Sequence, residues 1–97
     1  MPHLIIEHSD NLPCDTIALM EAVYIGAADS GVMSASDIKV RALPYASFRL
    51  HLPQRQFVHV SCRILAGRTE SQKVHLSERV RAALSALLPE VYSLSVE

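Results

Sequence analysis

The first residues of the chain could supply a general base. A start methionine followed by a small residue such as proline is normally removed, and here Met1 precedes Pro2. Removal would leave Pro2 with a free secondary amine, and an α-amino group ordinarily titrates at about 7.7–8.0. Modest desolvation or a nearby cation would bring such an amine close to neutrality, so that it could take and return protons at physiological pH. Many proteins begin Met-Pro without any chemical role, so the dipeptide alone leaves catalysis open.

Three cations could bind an anionic substrate. Lys39 and Arg41 lie two positions apart on a predicted strand, which puts their side chains on one face about 6–7 Å apart. Two cations at that spacing can bind one or two carboxylates, and arginine does so through a planar fork of two donors. Arg68 follows Gly67 just before a predicted helix start, where free backbone amides favour an anion. The alternatives are a solvated or interface strand face for the first two and a surface side chain near Glu70 for the third.

Composition and charge argue against several classes of protein. The 97 residues predict a single domain over 1–97, and a hydrophobic fraction of 49% favours a chain that is partly covered by another subunit. A formal net charge of -1 argues against a nucleic-acid partner. The sequence has neither a signal-peptide pattern nor an apolar stretch of membrane-spanning length, so we expect a cytoplasmic protein with no membrane partner. The histidines are scattered and Cys14 and Cys62 are expected to be reduced, packed thiols, so neither a metal nor a cofactor is predicted.

The hydrophobic periodicity predicts five strands and two helices in the order β-α-β-β-β-α-β. The fold class is therefore α+β, a two-layer sandwich with two helices on one face of a mixed sheet. The first helix is expected to start within 9–13 and to stop at 29–31, and the second to run from a capping box at 69–72 to Pro89. A turn is expected at 53–55. The predicted strands cover 3–8, 37–43, 47–52, 56–66 and 91–96.

Each predicted layer has a distinct pattern. The helix residues expected in the core are Ile17, Met20, Val23 or Tyr24, Ala27, Leu76, Val80, Ala83, Leu84 and Leu87. The sheet face away from the helices carries charged side chains among apolar neighbours, and a symmetric subunit contact would suit such a face. These charged side chains are Lys39, Arg41, Arg49, His51, His59 and Arg63.

Three segments carry a family resemblance. Residues 2–11, PHLIIEHSDN, resemble the start of the 5-carboxymethyl-2-hydroxymuconate isomerases, members of the tautomerase superfamily. Residues 37–41 are similar to that family's Gly-Ile-Arg-x-Arg strand, with Lys39 in place of its first arginine. Phe57-Val58-His59 and the later Ala66-Gly67-Arg68 are similar to its long central strand and the exit from it. The chain is shorter than typical members around the first helix and at its end, and it lacks their tryptophan between 44 and 56.

The resemblance implies a tandem β-α-β fold and a homotrimer whose sheets face inward. It also implies that the mature N-terminal Pro2 is the catalytic base and that basic residues, for which we take Lys39, Arg41 and Arg68, bind substrate carboxylates. The expected activity is a cofactor-free isomerase that moves a proton in an unsaturated 2-hydroxy polycarboxylic acid, a small-molecule carboxylate substrate. Two alternatives are a non-enzymatic trimeric binding module of the same fold and a related proline-based hydratase, dehalogenase or decarboxylase.

Overall fold

The chain folds as an α+β two-layer sandwich, described by a computed structural model for residues 1–53 and 55–97. One layer is a four-stranded mixed sheet and the other is a pair of α-helices, which confirms the predicted fold class. The strands are β1 (His3–Ser9), β2 (Lys39–Tyr45), β3 (Phe57–Arg63) and β4 (Ser93–Val96), and the helices are α1 (Thr16–Asp29) and α2 (Glu70–Leu87). A short 3-10 helix, Ala35–Asp37, precedes β2.

The sheet is built from two β-α-β units side by side. Its strand order is β2-β1-β3-β4, with β1 parallel to β2 and β3 parallel to β4. The two inner strands, β1 and β3, are antiparallel and join the units. Because of these directions, the start of β1, the start of β2 and the end of β3 all lie at one end of the sheet.

Alternating apolar residues of the sheet form the core with one stripe of each helix. Leu4 and Ile6 on β1 and Val58 and Val60 on β3 point toward the helices and are at most 1% exposed. The helices contribute buried side chains at helical spacing, namely Leu19, Val23, Ala27, Leu76, Val80 and Leu84. The prediction that Ile17 is a core residue is wrong. Its side chain is 76% exposed, because the buried stripe of α1 runs through Leu19 instead.

The helix ends are fixed by side-chain caps. The carboxylate of Asp15 accepts a hydrogen bond from the Ala18 amide at 2.7 Å and caps the start of α1. The helix therefore begins later than the predicted 9–13. The predicted capping box of α2 is confirmed, since the Thr69 hydroxyl accepts from the Gln72 amide at 3.1 Å and the Gln72 side chain accepts from the Thr69 amide at 2.8 Å. No helix in the described part of the chain combines the length and the apolarity needed to cross a bilayer.

One predicted strand is wrong. Residues 47–52 form bends and irregular backbone, so the described sheet has four strands where five were predicted. A strand needs a partner for its backbone amides and carbonyls. In the described sheet both edges of β1 and of β3 are occupied, and the outer edges of β2 and β4 pair with no further strand. The apolar Phe48 packs instead on Phe57, with ring centroids 5.4 Å apart. The turn predicted at 53–55 includes Gln54, which lies outside the described residues.

Candidate active site

Pro2 lies at the entry to β1, at the end of the sheet where three elements meet. The residue is buried, and its carbonyl oxygen accepts from the backbone amide of Lys39 at 3.2 Å. This hydrogen bond extends the parallel pairing of β1 and β2 by one step and fixes the proline beside the start of β2. With Met1 attached, the Pro2 nitrogen is a peptide nitrogen, so only the chain without Met1 has an amine at this position.

Lys39 and Arg41 lie on the sheet face that turns away from the helices, next to the start of β1. Lys39 is in register with His3 and Arg41 is in register with Ile5. Both side chains are exposed. The Lys39 ammonium donates to the carbonyl oxygen of Asp37 at 3.0 Å, and the Arg41 guanidinium donates to the ring of His3 at 3.0 Å. The structure therefore brings these two predicted residues to the same end of the sheet as Pro2.

Arg68 lies in the loop between β3 and α2. Its guanidinium donates to the carbonyl oxygen of Val32 at 3.2 Å, on the connection between α1 and β2, and the side chain is half-buried. The loop follows the end of β3, which is antiparallel to β1, so Arg68 is at the same end of the sheet as Pro2. The hydrogen bond to Val32 leaves four of the five guanidinium N–H donors for other partners.

Two further basic residues lie in this region. His3 is not among the predicted site residues and Arg63 is predicted only as part of the charged sheet face, but the two are opposite each other in the β1–β3 register. Side chains alternate between the two faces of a strand, so His3 lies on the same face as its register partners Lys39 and Arg63. This grouping follows only once the register of the strands is known. The sequence alone does not reveal which strands are neighbours.

Positive charge surrounds His3. The pKa of His3 is lowered from its ordinary 6.5, first by desolvation of the ring and then by neighbouring positive charges. These charges are the N-terminal amine, Arg41, Lys39 and Arg63. The start of β1 therefore lies among several positive charges.

A cavity of about 500 Å³ opens beside the start of the chain, between the end of β3 and α2. Its lining is mixed, with apolar side chains next to two cations and one carboxylate. Lining residues include Met1, Cys62, Arg63, Lys73, Leu76 and Glu97. The volume suits a small organic acid. Burial raises the pKa of the Cys62 thiol to about 11, so at neutral pH this wall of the cavity is apolar and uncharged.

Further polar contacts occupy the same sheet face, and those of Glu97 lie toward the end of β3. The His59 ring contacts the Glu97 carboxylate at 2.9 Å and the Ser95 hydroxyl at 2.6 Å. The Tyr45 hydroxyl donates to the Glu7 carboxylate, and this hydrogen bond raises the pKa of Tyr45. In the described residues, no group of three or more His, Cys, Asp or Glu side chains is arranged to hold a metal ion.

Comparison with known proteins identifies the family. The model of the family "5-carboxymethyl-2-hydroxymuconate isomerase" matches residues 2–96. The chain belongs to this isomerase family. It is thus an isomerase of the tautomerase superfamily, as the resemblance implied. No curated protein matches the chain in sequence.

Solved structures agree with this assignment. The crystal structure of a 5-carboxymethyl-2-hydroxymuconate isomerase from Deinococcus radiodurans R1 is 29% identical, with a TM-score of 0.80 over 99% of this chain and 79% of that one. A 5-carboxymethyl-2-hydroxymuconate delta-isomerase is 21% identical, with a TM-score of 0.74 over 100% of this chain and 82% of that one. A fused 4-OT protein, solved as a symmetric trimer, is 22% identical, with a TM-score of 0.74 over 98% of this chain and 81% of that one.

Proposed function

We propose that the chain, once Met1 is removed, is a cofactor-free tautomerase with the Pro2 amine as its general base. Its substrate is an unsaturated 2-hydroxy polycarboxylic acid similar to 5-carboxymethyl-2-hydroxymuconate. Lys39, Arg41 and Arg68 bind the substrate carboxylates. The observation that carries this proposal is the convergence of a buried Pro2 and several cations at one end of the sheet.

The surroundings of Pro2 favour a neutral amine. Burial disfavours the charged form of an amine, and so do positive charges nearby; both effects lower its pKa. The cations in register with the start of β1, Lys39 and Arg63, act in this direction. An amine that is neutral near pH 7 accepts a proton as the base and holds it as the conjugate acid with a small free-energy difference between the two forms.

The proposed reaction is a proton transfer within one molecule. The Pro2 nitrogen takes the proton of the substrate 2-hydroxyl group, and the O–H electron pair becomes the second bond of a C2 carbonyl group. The conjugated double bonds shift by one position, and the distal carbon takes the proton back from the Pro2 ammonium. The amine is regenerated and the product is an isomer of the substrate, so neither an oxidant nor a second substrate is needed.

The cations hold the substrate and stabilise the charge that develops on its oxygen. Arg41 offers a planar fork to one carboxylate, whereas Lys39 acts as a point charge. In the transition state, negative charge spreads toward the C2 oxygen, and a fixed donor aimed at it contributes about 2.7–4 kcal/mol of barrier lowering. We assign this stabilisation to Arg68, whose free donors lie at the same end of the sheet as Pro2.

We propose a homotrimer as the assembled form. The sheet face away from the helices is exposed in the single chain, and it includes an apolar residue, Leu43, that is 51% exposed. The solved relative described as a symmetric trimer supports this proposal. Sedimentation equilibrium should give the mass of three 10.7 kDa chains, and the mass of one chain at micromolar concentration would contradict it.

The activity test compares the same chain with and without Met1. Treatment with methionine aminopeptidase, followed by intact mass measurement, gives the two forms with identical cations and fold. Ketonisation of 2-hydroxymuconate, followed by ultraviolet absorbance, should require the processed form. Pro2→Ala should lower kcat strongly in processed protein, while the exposed Arg81→Ala on α2 serves as a control for charge removal far from the site.

Equal activity of the two forms would contradict the proton-transfer role of Pro2. Full activity of the Pro2→Ala variant would lead to the same conclusion. A processed protein that binds the dicarboxylate without converting it would favour the binding-module alternative. Conversion of a 3-haloacrylate or hydration of an unsaturated acid, in preference to ketonisation, would favour the related proline-based reactions.

A further inference from the structure

The hydrogen bond between Arg41 and His3 fixes the state of the histidine. The Arg41 Nη1 atom lies 3.0 Å from His3 Nδ1. A guanidinium has donors and no acceptor, so His3 Nδ1 must be the acceptor and carries a lone pair. His3 is therefore neutral in this arrangement, with its proton on Nε2.

The charged groups in register with His3 are positive. Lys39 is its register partner on β2, Arg63 is its register partner on β3, and the N-terminal amine precedes its strand. The Glu97 carboxylate lines the same cavity as Arg63. Across residues 1–53 and 55–97, no carboxylate lies within ion-pair distance, 4.0 Å, of Arg41. An arginine anchored by a carboxylate has its charge largely neutralised, whereas an imidazole anchor leaves the full positive charge available to a ligand.

We propose that His3 is a positioning residue that holds the Arg41 guanidinium for a substrate carboxylate. This inference rests on the proposed function and adds to it a residue that does not touch the reacting atoms. The Nδ1 lone pair occupies one guanidinium donor and restricts the rotation of a long exposed side chain. Part of the conformational entropy that Arg41 would lose on binding is thus lost before the ligand arrives.

A consequence is that protonation of His3 weakens carboxylate binding. A proton on Nδ1 replaces the acceptor by a donor that faces the donors of Arg41. It also adds a fourth positive charge beside Arg41, Lys39 and Arg63. The pKa of His3 is lowered by desolvation of the ring and then by these charges, so the ring protonates only below its ordinary range. The effect should appear in KM at acid pH, whereas protonation of the Pro2 amine acts on kcat as well.

The test compares two substitutions of His3 in processed protein. His3→Asn keeps an acceptor close to the Nδ1 position, and His3→Leu removes it. Losing a hydrogen bond to a charged group should raise KM for 2-hydroxymuconate about tenfold in His3→Leu. We expect kcat to change little, His3→Asn to resemble the wild type, and His3→Leu to have no further effect in an Arg41→Ala background. The acid rise in KM should be absent in His3→Asn.

A second readout does not depend on turnover. Calorimetric binding of cis,cis-muconate, a dicarboxylate without the reactive hydroxyl, should weaken by a similar factor in His3→Leu and not in His3→Asn. Nitrogen NMR should report an unprotonated Nδ1 in the wild type. The positioning role is wrong if muconate binds His3→Leu as tightly as the wild type, or if the wild type does not bind muconate. It is also wrong if His3→Leu weakens muconate binding by the same factor when Arg41 is already replaced by alanine. Inactivity of every processed form with normal muconate results would instead contradict the proposed reaction alone.

Discussion

The two helices approach each other closely at Gly26, and this contact determines whether Gly26→Ala raises or lowers the stability of the fold. A Cβ atom built on Gly26 would lie 2.9 Å from both the Arg79 carbonyl oxygen and the Val80 Cα atom, and 3.2 Å from the Ala83 Cβ atom. Favourable carbon contacts lie at about 3.5–4.0 Å, so α1 and α2 would have to move apart by several tenths of an ångström. Two of the three neighbours are backbone atoms of a helix, which cannot rotate away as a side chain can.

The expected effect of Gly26→Ala is a loss of stability. Overpacking in a well-filled interior costs about 1–3 kcal/mol. Alanine in place of glycine inside a helix returns about 0.5–1 kcal/mol. The net change should therefore be a destabilisation of about 0.5–2 kcal/mol, which for a chain of this size lowers Tm by roughly 4–8 °C for each kcal/mol.

The assay is urea unfolding followed by circular dichroism, with all variants at one protein concentration because assembly would couple stability to concentration. Ala82→Gly, at an exposed position in the middle of α2, measures the propensity contribution alone and should cost about 0.5–1 kcal/mol. If propensity governed Gly26 as well, Gly26→Ala would be stabilising. A variant as stable as the wild type, or more stable, would refute the packing argument.

Four further measurements follow from the structure. Alkylation of Cys62 at pH 8 should be roughly a hundredfold slower than that of an unstructured cysteine, because burial raises its pKa to about 11, and urea should abolish the difference. Leu84→Ala, at a fully buried position, should lower the free energy of unfolding by about 2–5 kcal/mol in a urea melt. Thr69→Ala should cost about 0.5–2 kcal/mol in the same melt, and Thr69→Ser should restore most of it. The hydrogen bond from His59 holds the pKa of the Glu97 carboxyl below 4.5, so the contribution of Glu97 to stability is lost as the pH falls through that lowered pKa. His59→Leu should raise the pKa of Glu97 in an NMR titration.

Much of the fold could be predicted because local pattern and tertiary packing agree. The short apolar run near the start of the chain predicts β1, whose Leu4 and Ile6 are buried, and the capping residues at 69–72 mark the start of α2 correctly. The segment 47–52 shows where pattern fails. Its alternation is compatible with a strand, but a strand also has to pair with another strand. Which segments pair in the sheet is not encoded in a local pattern.

Part of the candidate site could be selected from the sequence, and part is revealed only by the structure. Pro2, Lys39, Arg41 and Arg68 could be selected from residue type and resemblance, and the structure puts them at one end of the sheet. The roles proposed for them remain predictions. The hydrogen bond between His3 and Arg41 could not be foreseen, because residues 38 positions apart meet only through the register of parallel strands.

The proposed proton transfer requires that processed Pro2 carry an amine that is neutral near pH 7. The most direct measurement is a nitrogen NMR titration of protein labelled at proline and freed of Met1. The account predicts that the Pro2 amine titrates below about 7.7, the lower end of the ordinary range for an α-amino group. It also predicts the same pKa in the acid limb of kcat/KM for 2-hydroxymuconate. An amine that stays protonated through pH 8 would contradict the account.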